Sequence, residues 1–454
     1  MKALLNRVRK HAAKIHAAPE FIPGVTPIPY AGQQFGPDEI AAGVEAMLQP
    51  WLTLGPQGKA FEAELAAALG VRSSVLCNSG SSANLLALSI LTSPRLCRKI
   101  ATDDGRVLRT NTGRPAGRDG ARLMPGDEVI TAAAGFPTTV FPIIQCGAIP
   151  VFIDSDPATG NIRPEALALA LSPRTRAVML AHTLGNPFDV AAVTAFCREH
   201  GLWLIEDNCD ALGSLYHGQP TGTFGHLSTQ SFYPPHHLTM GEGGAVNVNT
   251  AQLRRLAESY RDWGRDCWCG PGCDNTCRRR FDQQHGDLPP GYDHKYTYTH
   301  LGYNLKPLDV QAAIGRVQLR RLPAFTAARR ANWATLHAGL GHLFPSMEAL
   351  PGAEPSWFGY MLRTPHRAAL AAHLDRHRIG HRMLFAGNLV RQPVFTSLKQ
   401  DRPVAFRVVG DLAGADELMH TALFLGTYPG LTPAMLDYEI ATIHAFARTI
   451  PAAA

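Results

Sequence analysis

Four cysteines lie within eleven residues of this 454-residue chain, and a fifth lies close to a carboxylate. The cluster has Gly and Pro between its members, which can bend the backbone around an ion; it consists of Cys267, Cys269, Cys273 and Cys277. In a long chain without an export signal, such a cluster indicates a metal rather than disulfides. Four thiolates suit either a structural zinc ion or an iron–sulfur centre. Cys209 lies two residues after Asp207, roughly 7 Å along a strand, so a metal bound there would lie near the ligand of Asp207.

A second set of candidate residues follows the ends of predicted strands. Asp207 ends an apolar run, where a carboxylate can hold a protonated ring nitrogen of a cofactor or cap the next helix. The small residues Gly80, Ser81 and Ser82 stand between a strand and a helix, an arrangement that favours phosphate binding. His236, five residues after Ser231, can transfer protons near neutral pH.

This ordered series resembles the nucleotide-sugar aminotransferases of the DegT/DnrJ/EryC1/StrS family, which are fold-type-I pyridoxal-phosphate enzymes. The resemblance runs from about residue 29 to the C-terminus, except for 97–123. It implies that Asp207 holds the pyridine nitrogen, Phe136 stacks on the ring and Ser231 binds the phosphate. Aminotransferases of this family carry their imine lysine five residues after that serine. Here the position is His236, and no lysine occurs between Lys99 and Lys295, which argues against transamination.

The cysteine spacing narrows the resemblance to the CDP-6-deoxy-4-hexulose 3-dehydrases, an iron–sulfur branch of that family. Their pattern is Cys, 57 residues, Cys, one residue, Cys, seven residues, Cys. The chain reproduces this pattern from Cys209 to Cys277, with Cys273 to spare. The resemblance therefore implies a [2Fe-2S] cluster held by Cys209, Cys267, Cys269 and Cys277.

The resemblance also implies the reaction and its partners. A pyridoxamine-phosphate (PMP) enzyme of this kind removes the C3 hydroxyl group of a CDP-linked 4-keto-6-deoxyhexose, in the synthesis of 3,6-dideoxyhexoses for lipopolysaccharide O-antigens. His236 would be the base. A separate NADH-dependent iron–sulfur flavoprotein reductase would supply electrons through the cluster.

Further positions match functional residues of the family. Asp210 and Tyr233 match positions near the cofactor, and three residues of a polar-aromatic loop match positions that meet the substrate: Phe385, Asn388 and Arg391. Asn304 matches a residue that reaches the phosphate of a neighbouring subunit, which implies a homodimer.

The elements that position these residues alternate along the chain. Apolar strands at 71–77, 127–131, 149–154, 177–181 and 202–206 are separated by helical segments, which predicts an α/β fold with a mainly parallel, covered sheet. We expect an N-terminal arm (1–36), a large cofactor-binding domain (37–320) with a surface insert at 97–123 and a cysteine loop at 265–280, and a smaller C-terminal αβ domain (321–454).

Composition excludes few classes of protein. The hydrophobic fraction of 45% and charged fraction of 18% are ordinary for a water-soluble enzyme, and the net charge of +6 suits an anionic substrate without indicating nucleic acid. The basic segment 1–16 predicts a short surface helix. No apolar run reaches the roughly 18 residues of a membrane span, so we expect a cytoplasmic protein.

Three alternatives remain at this stage. A cluster-free sugar 3-dehydratase would also use His236 but would have no use for the cysteine spacing. A zinc-stabilised, cofactor-binding regulator would keep the phosphate-binding turn but would not need a cysteine beside Asp207. An aminotransferase would need a lysine near residue 236.

Overall fold

An eight-stranded sheet runs through the larger part of the chain. The computed structural model describes residues 1–17, 20–32, 34–96, 122–270 and 272–450, so the predicted insert at 97–123 lies almost wholly outside the described residues. The strands are β1 Ser73–Cys77, β2 Glu128–Ala132, β3 Ile149–Ile153, β4 Thr175–Ala181, β5 Trp203–Asp207, β6 Leu215–Tyr216, β7 Gln219–Pro220, β8 Leu227–Ser231, β9 Gly244–Val248, β10 Ala353–Glu354, β11 Gly359–Arg363, β12 His381–Met383, β13 Arg407–Val408 and β14 Ala422–Gly426.

Helices cover this sheet and build the rest of the molecule. They are α1 Lys2–Ile15, α2 Pro37–Met47, α3 Pro56–Leu69, α4 Gly80–Leu91, α5 Pro137–Gln145, α6 Ala166–Ala170, α7 Val190–His200, α8 Ala251–Arg261, α9 Asp309–Leu340, α10 Arg367–Arg376, α11 Pro393–Asp401, α12 Ala413–Thr421 and α13 Pro433–Ala447.

The strand order in the large sheet is β1-β9-β8-β5-β4-β2-β3-β13. In this spatial order, every neighbouring pair from β8 through β5, β4, β2 and β3 to β13 is parallel. By contrast, β9 pairs antiparallel with both β8 and β1. Of the eight strands, β9 alone therefore runs in the opposite direction. The carboxyl ends of the parallel strands meet at one edge, where ligands bind in sheets of this kind.

Alternation along β4 shows why the sheet is covered on both faces. Ala177 and Met179 belong to the apolar cluster on one face, which includes residues of α4, α5 and α8. Val178 and Leu180 belong to the cluster on the opposite face, which includes residues of α7. Successive strand side chains point to opposite faces, so a strand that is apolar throughout needs helices on both sides.

The C-terminal part forms its own antiparallel sheet, β11-β14-β12, and a second core with α10 and α13. The long helix α9 packs against α2 and α3 at one end and against α13 and β11 in the C-terminal part. The short strand β13 returns to the large sheet, where it pairs with β3.

The predicted α/β class with a mainly parallel, covered sheet is confirmed. The segment 1–16 forms α1, which packs on α2 through Leu5 and Ala12. In the described part of the chain, no helix combines the length and apolar character that crossing a membrane requires.

Candidate active site

A cavity of about 1040 Å³ opens at the carboxyl-terminal edge of the large sheet. Its wall includes the last residues of three neighbouring strands: Ala181 of β4, Asp207 of β5 and Ser231 of β8. The turns after β1 and β2 add the segments 79–81 and 135–139. The C-terminal part closes the other side with residues from β12, β14 and the loop after β12. The cavity is therefore built jointly by both parts of the chain.

Asp207 is buried at the floor of this cavity, with 5% of its surface exposed. Its Oδ2 accepts hydrogen bonds from Asn84 Nδ2 at 2.8 Å and from Thr139 Oγ1 at 2.7 Å. Thr229 Oγ1 donates to the side-chain oxygen of Asn84 at 2.7 Å, which fixes the orientation of that amide. A carboxylate held in this way keeps its direction and can accept a hydrogen bond from a protonated ring nitrogen.

The predicted phosphate-binding segment, the anion seat, is the turn after β1 at the start of α4. Ser79 caps this twelve-residue helix by accepting a hydrogen bond from the amide of Ser82 at 3.0 Å. Gly80 and Ser81 line the cavity, and the first amides of a helix have no intrahelical acceptor. A Cβ atom on Gly80 would lie 2.4 Å from Cβ of Ser231, so only glycine lets α4 approach β8 this closely.

His236 lies in the wall of the same cavity, and its side chain is 14% exposed. Its Nδ1 is 3.5 Å from Oδ1 of Asp210, which is longer than a good hydrogen bond. The ring also packs at 5.2 Å from that of Phe358. Tyr233, which is 48% exposed, lines the cavity beside it. The structure therefore places all three predicted catalytic residues in one site.

The surroundings of His236 and Asp210 favour the neutral form of both side chains. Burial, together with the positive charge of Arg329, lowers the pKa of His236 to about 4. Burial and the negative charge of Asp207 raise the pKa of Asp210 to about 8. Near pH 7 the contact thus joins a neutral imidazole to a protonated carboxyl group rather than forming an ion pair.

His237 has a different surrounding. It is buried, and its Nε2 lies 2.6 Å from the carbonyl oxygen of Ser356. It does not belong to the residues that line the cavity, so its contacts fit a structural role.

Aromatic rings form the side of the cavity that faces the C-terminal part. Phe136, at the start of α5, meets Phe385 edge to face at 5.8 Å. Phe385 adopts a left-handed backbone conformation (φ 46°) and packs further against Phe358 and Phe424. Phe385 therefore lines the cavity, and the contact with substrate that the resemblance implies stays a prediction.

The other predicted ligand-binding residues lie elsewhere in this chain. Asn388 is buried and donates to Asp416 at 2.7 Å, and Arg391 forms a two-pronged ion pair with the same carboxylate. Exposed Asn304 accepts a hydrogen bond from Lys306. The structure does not include any of these three among the residues that line the cavity.

The cysteine loop forms a second, much smaller pocket. Cys267, Cys269 and Cys277 line it together with Arg280 and His294, whereas Cys273 is exposed. Although burial acts in the opposite direction, hydrogen bonds from Thr276 lower the pKa of the Cys269 thiol. His294 lies 3.7 Å from Sγ of Cys277 and 2.7 Å from Oδ2 of Asp266.

Cys209 lines the large cavity instead, next to Asp207 and Asp210. Burial and the charge of Asp207 raise the pKa of its thiol well above the usual value. A nearby metal charge would reverse that tendency, because it stabilises the thiolate. Asp266, His285 and His294 also offer ligand atoms within 4.8 Å of one another. The rings of the two histidines are stacked almost parallel, an arrangement in which their nitrogens do not converge well on one ion.

Comparison with known proteins agrees with this geometry. Residues 34–95 and 119–444 match the DegT/DnrJ/EryC1/StrS aminotransferase family. The chain belongs to this family. It is an enzyme of the family's fold-type-I architecture.

Relatives within the family include sugar dehydratases. The chain is 47% identical to the dTDP-4-dehydro-2,6-dideoxy-D-glucose 3-dehydratase of Saccharopolyspora spinosa, over 94% of this chain and 88% of that protein. It is 46% identical to the lipopolysaccharide biosynthesis protein RfbH of Salmonella typhimurium, over 97% and 96% of the two chains. A solved structure of E. coli GDP-4-keto-6-deoxy-D-mannose-3-dehydratase with bound hydrated PLP superposes with a TM-score of 0.75 at 25% identity, covering 91% and 98% of the two chains.

Several cavity residues were missed by sequence reasoning. Asn84 follows Gly80 by one helical turn and Thr139 follows Phe136 by three residues, so helical spacing could have indicated both. Arg382, whose guanidinium lies 3.9 Å above the ring of Tyr30, comes from the C-terminal part and carried no such signal.

Proposed function

We propose that this chain is a cytoplasmic, PMP-dependent nucleotide-sugar 3-dehydrase that removes the C3 hydroxyl group of a CDP-linked 4-keto-6-deoxyhexose. The proposal rests chiefly on one observation: His236, rather than a lysine, lines the cavity that Asp207 and the anion seat also line. None of the described residues that line this cavity is a lysine. An imidazole cannot hold the cofactor as an imine, but it can move a proton.

The cavity fits PMP without a covalent bond to the protein. The phosphate would bind at Ser231 and the first amides of α4, which the missing Cβ of Gly80 allows to lie close to Ser231. Asp207 would hold the ring nitrogen, and Phe136 would contact the ring. When bound there, PMP supplies an amine that condenses with the sugar ketone and a ring that accepts electron density.

His236 and Asp210 would then move the protons. The imidazole is neutral at pH 7, because burial and Arg329 lower its pKa to about 4. Its Nδ1 faces Asp210, so Nε2 would be the nitrogen that takes up the proton. Asp210 in its ionised form would stabilise the imidazolium that results, provided that the contact of 3.5 Å shortens when substrate binds.

We further propose a [2Fe-2S] cluster bound by Cys209, Cys267, Cys269 and Cys277, which would accept electrons from an iron–sulfur flavoprotein reductase. The ligand set follows from the cysteine spacing and from the resemblance. Three of these thiols line one pocket, which supports a metal centre there, whereas Cys209 lines the cavity. Cluster ligation by Cys209 is therefore the part of the proposal that most needs a test.

We also propose that the chain forms a homodimer. Asn304 is exposed and lies outside the cavity of its own chain, in agreement with the expected contact to a neighbouring subunit.

The first test is an anaerobic purification with iron, sulfide and zinc analysis and a visible spectrum. About two irons and two sulfides per chain are expected. Cys209→Ser should lose most of the iron, and Cys273→Ser, the matched control in the same loop, should keep it. One zinc per chain without iron would contradict the cluster and leave a structural zinc site.

The second test measures turnover. PMP enzyme, reductase and NADH are incubated with CDP-, dTDP- and GDP-linked 4-keto-6-deoxyhexoses, and the products are analysed by mass spectrometry. The proposal predicts a 3-deoxy product that requires the reductase and prefers the CDP sugar. Ammonia release without NADH would instead indicate the cluster-free dehydratase.

A further inference from the structure

Arg329 of α9 is the largest fully buried side chain among the described residues, with 1% of its surface exposed. A guanidinium that has left water must regain its hydrogen bonds inside the protein. The structure provides them for Nη1 and Nη2 through backbone carbonyl groups, whereas Nε has no partner among the described residues.

The carbonyl groups come from two separate segments. Nη2 donates to the oxygens of Pro235 at 3.2 Å and His236 at 3.0 Å. Nη1 donates to the oxygens of Trp357 at 3.2 Å and Phe358 at 3.5 Å. The first segment follows β8 and carries His236, whereas the second leads into β11 of the C-terminal part. Arg329 thus joins the loop that bears His236 to the segment that bears Phe358, whose ring packs against that of His236.

We propose that Arg329 is a positioning residue whose planar guanidinium binds these two backbone segments together and so holds the ring of His236 at the cavity. A planar fork can reach two carbonyl pairs at once, whereas the single ammonium group of a lysine cannot. This inference rests on the proposed role of His236 as the base.

The test compares Arg329→Lys and Arg329→Met in the holoenzyme with Arg320→Met, which alters an exposed arginine of the same helix. Hydrogen–deuterium exchange of residues 233–238 reports the position of the loop without depending on activity. We expect faster exchange in both Arg329 variants and no change in the control. We also expect Arg329→Lys to lower kcat about 100-fold, with little change in KM, because displacement of a catalytic group by about 1 Å has such an effect.

Should Arg329→Met not fold, Arg329→Lys decides the matter through exchange and kcat.

Unchanged exchange and unchanged kcat in Arg329→Lys would overturn the proposal. A rise in KM alone would also overturn it, since that result indicates a role in substrate binding. Failure of the proposed role of His236 has a different signature: His236→Asn would then keep full turnover, while exchange in the Arg329 variants would still report on the loop.

Discussion

Gly80→Ala tests the anion seat through a single methyl group. Its Cβ would lie 2.4 Å from Cβ and 2.7 Å from Oγ of Ser231, and 3.1 Å from the backbone Cα of that residue. A change of side-chain rotamer cannot move Cβ or Cα, so α4 and β8 must separate by about 1 Å to restore ordinary contact. Overpacking of this kind costs about 1–3 kcal/mol. If about 1.4 kcal/mol of that cost falls on the cofactor complex, its Kd rises tenfold.

The assay is a spectroscopic titration of the apoprotein with PMP, together with a thermal melt. Gly135→Ala is the matched control, because Gly135 lines the same cavity and a Cβ there meets nothing within 4 Å. We expect Gly80→Ala to weaken PMP binding about tenfold or more and Gly135→Ala to bind nearly as tightly as wild type. Equal affinities for the two variants would refute the assignment of the phosphate to this seat.

Three further predictions concern the cavity. His236→Asn should abolish turnover while retaining PMP, and loss of PMP instead would mean that His236 mainly binds cofactor. Since the pKa of His236 is about 4, ionisation of this group should not affect the wild-type rate between about pH 6 and 8. Asp210 has a folded-state pKa of about 8, above the value near 3.9 of an unfolded chain, so it costs stability as pH rises through this interval. The Tm of Asp210→Asn relative to wild type should therefore be higher at about pH 8.5 than at about pH 5, and a pH-independent difference would contradict the shift. Arg382→Ala should raise KM for the nucleotide sugar about tenfold with kcat nearly unchanged, and an unaltered KM would exclude a contact between Arg382 and the substrate.

The sequence determined the class of fold and much of the cofactor side of the site. Apolar strands that alternate with helical segments predict a covered parallel sheet, and such a sheet brings its carboxyl ends to one edge. Asp207 and Ser231 end strands, and Gly80 and Phe136 follow them closely, so local pattern was enough to place these four together. His236 could be singled out because its offset from Ser231 is also local.

Tertiary structure decided which distant groups each polar side chain meets. Asn388 and Arg391 share a loop with Phe385, yet both turn to Asp416 of α12 while Phe385 faces the cavity. Arg329 lies 93 residues from His236 in the chain, and nothing in its helix distinguishes it from the half-buried Arg330 beside it. Periodicity reports the face of an element and the end of a strand. The partner of a buried charge, however, depends on how separate elements pack, because the cost of removing the charge from water is met by whichever polar groups the fold brings within reach.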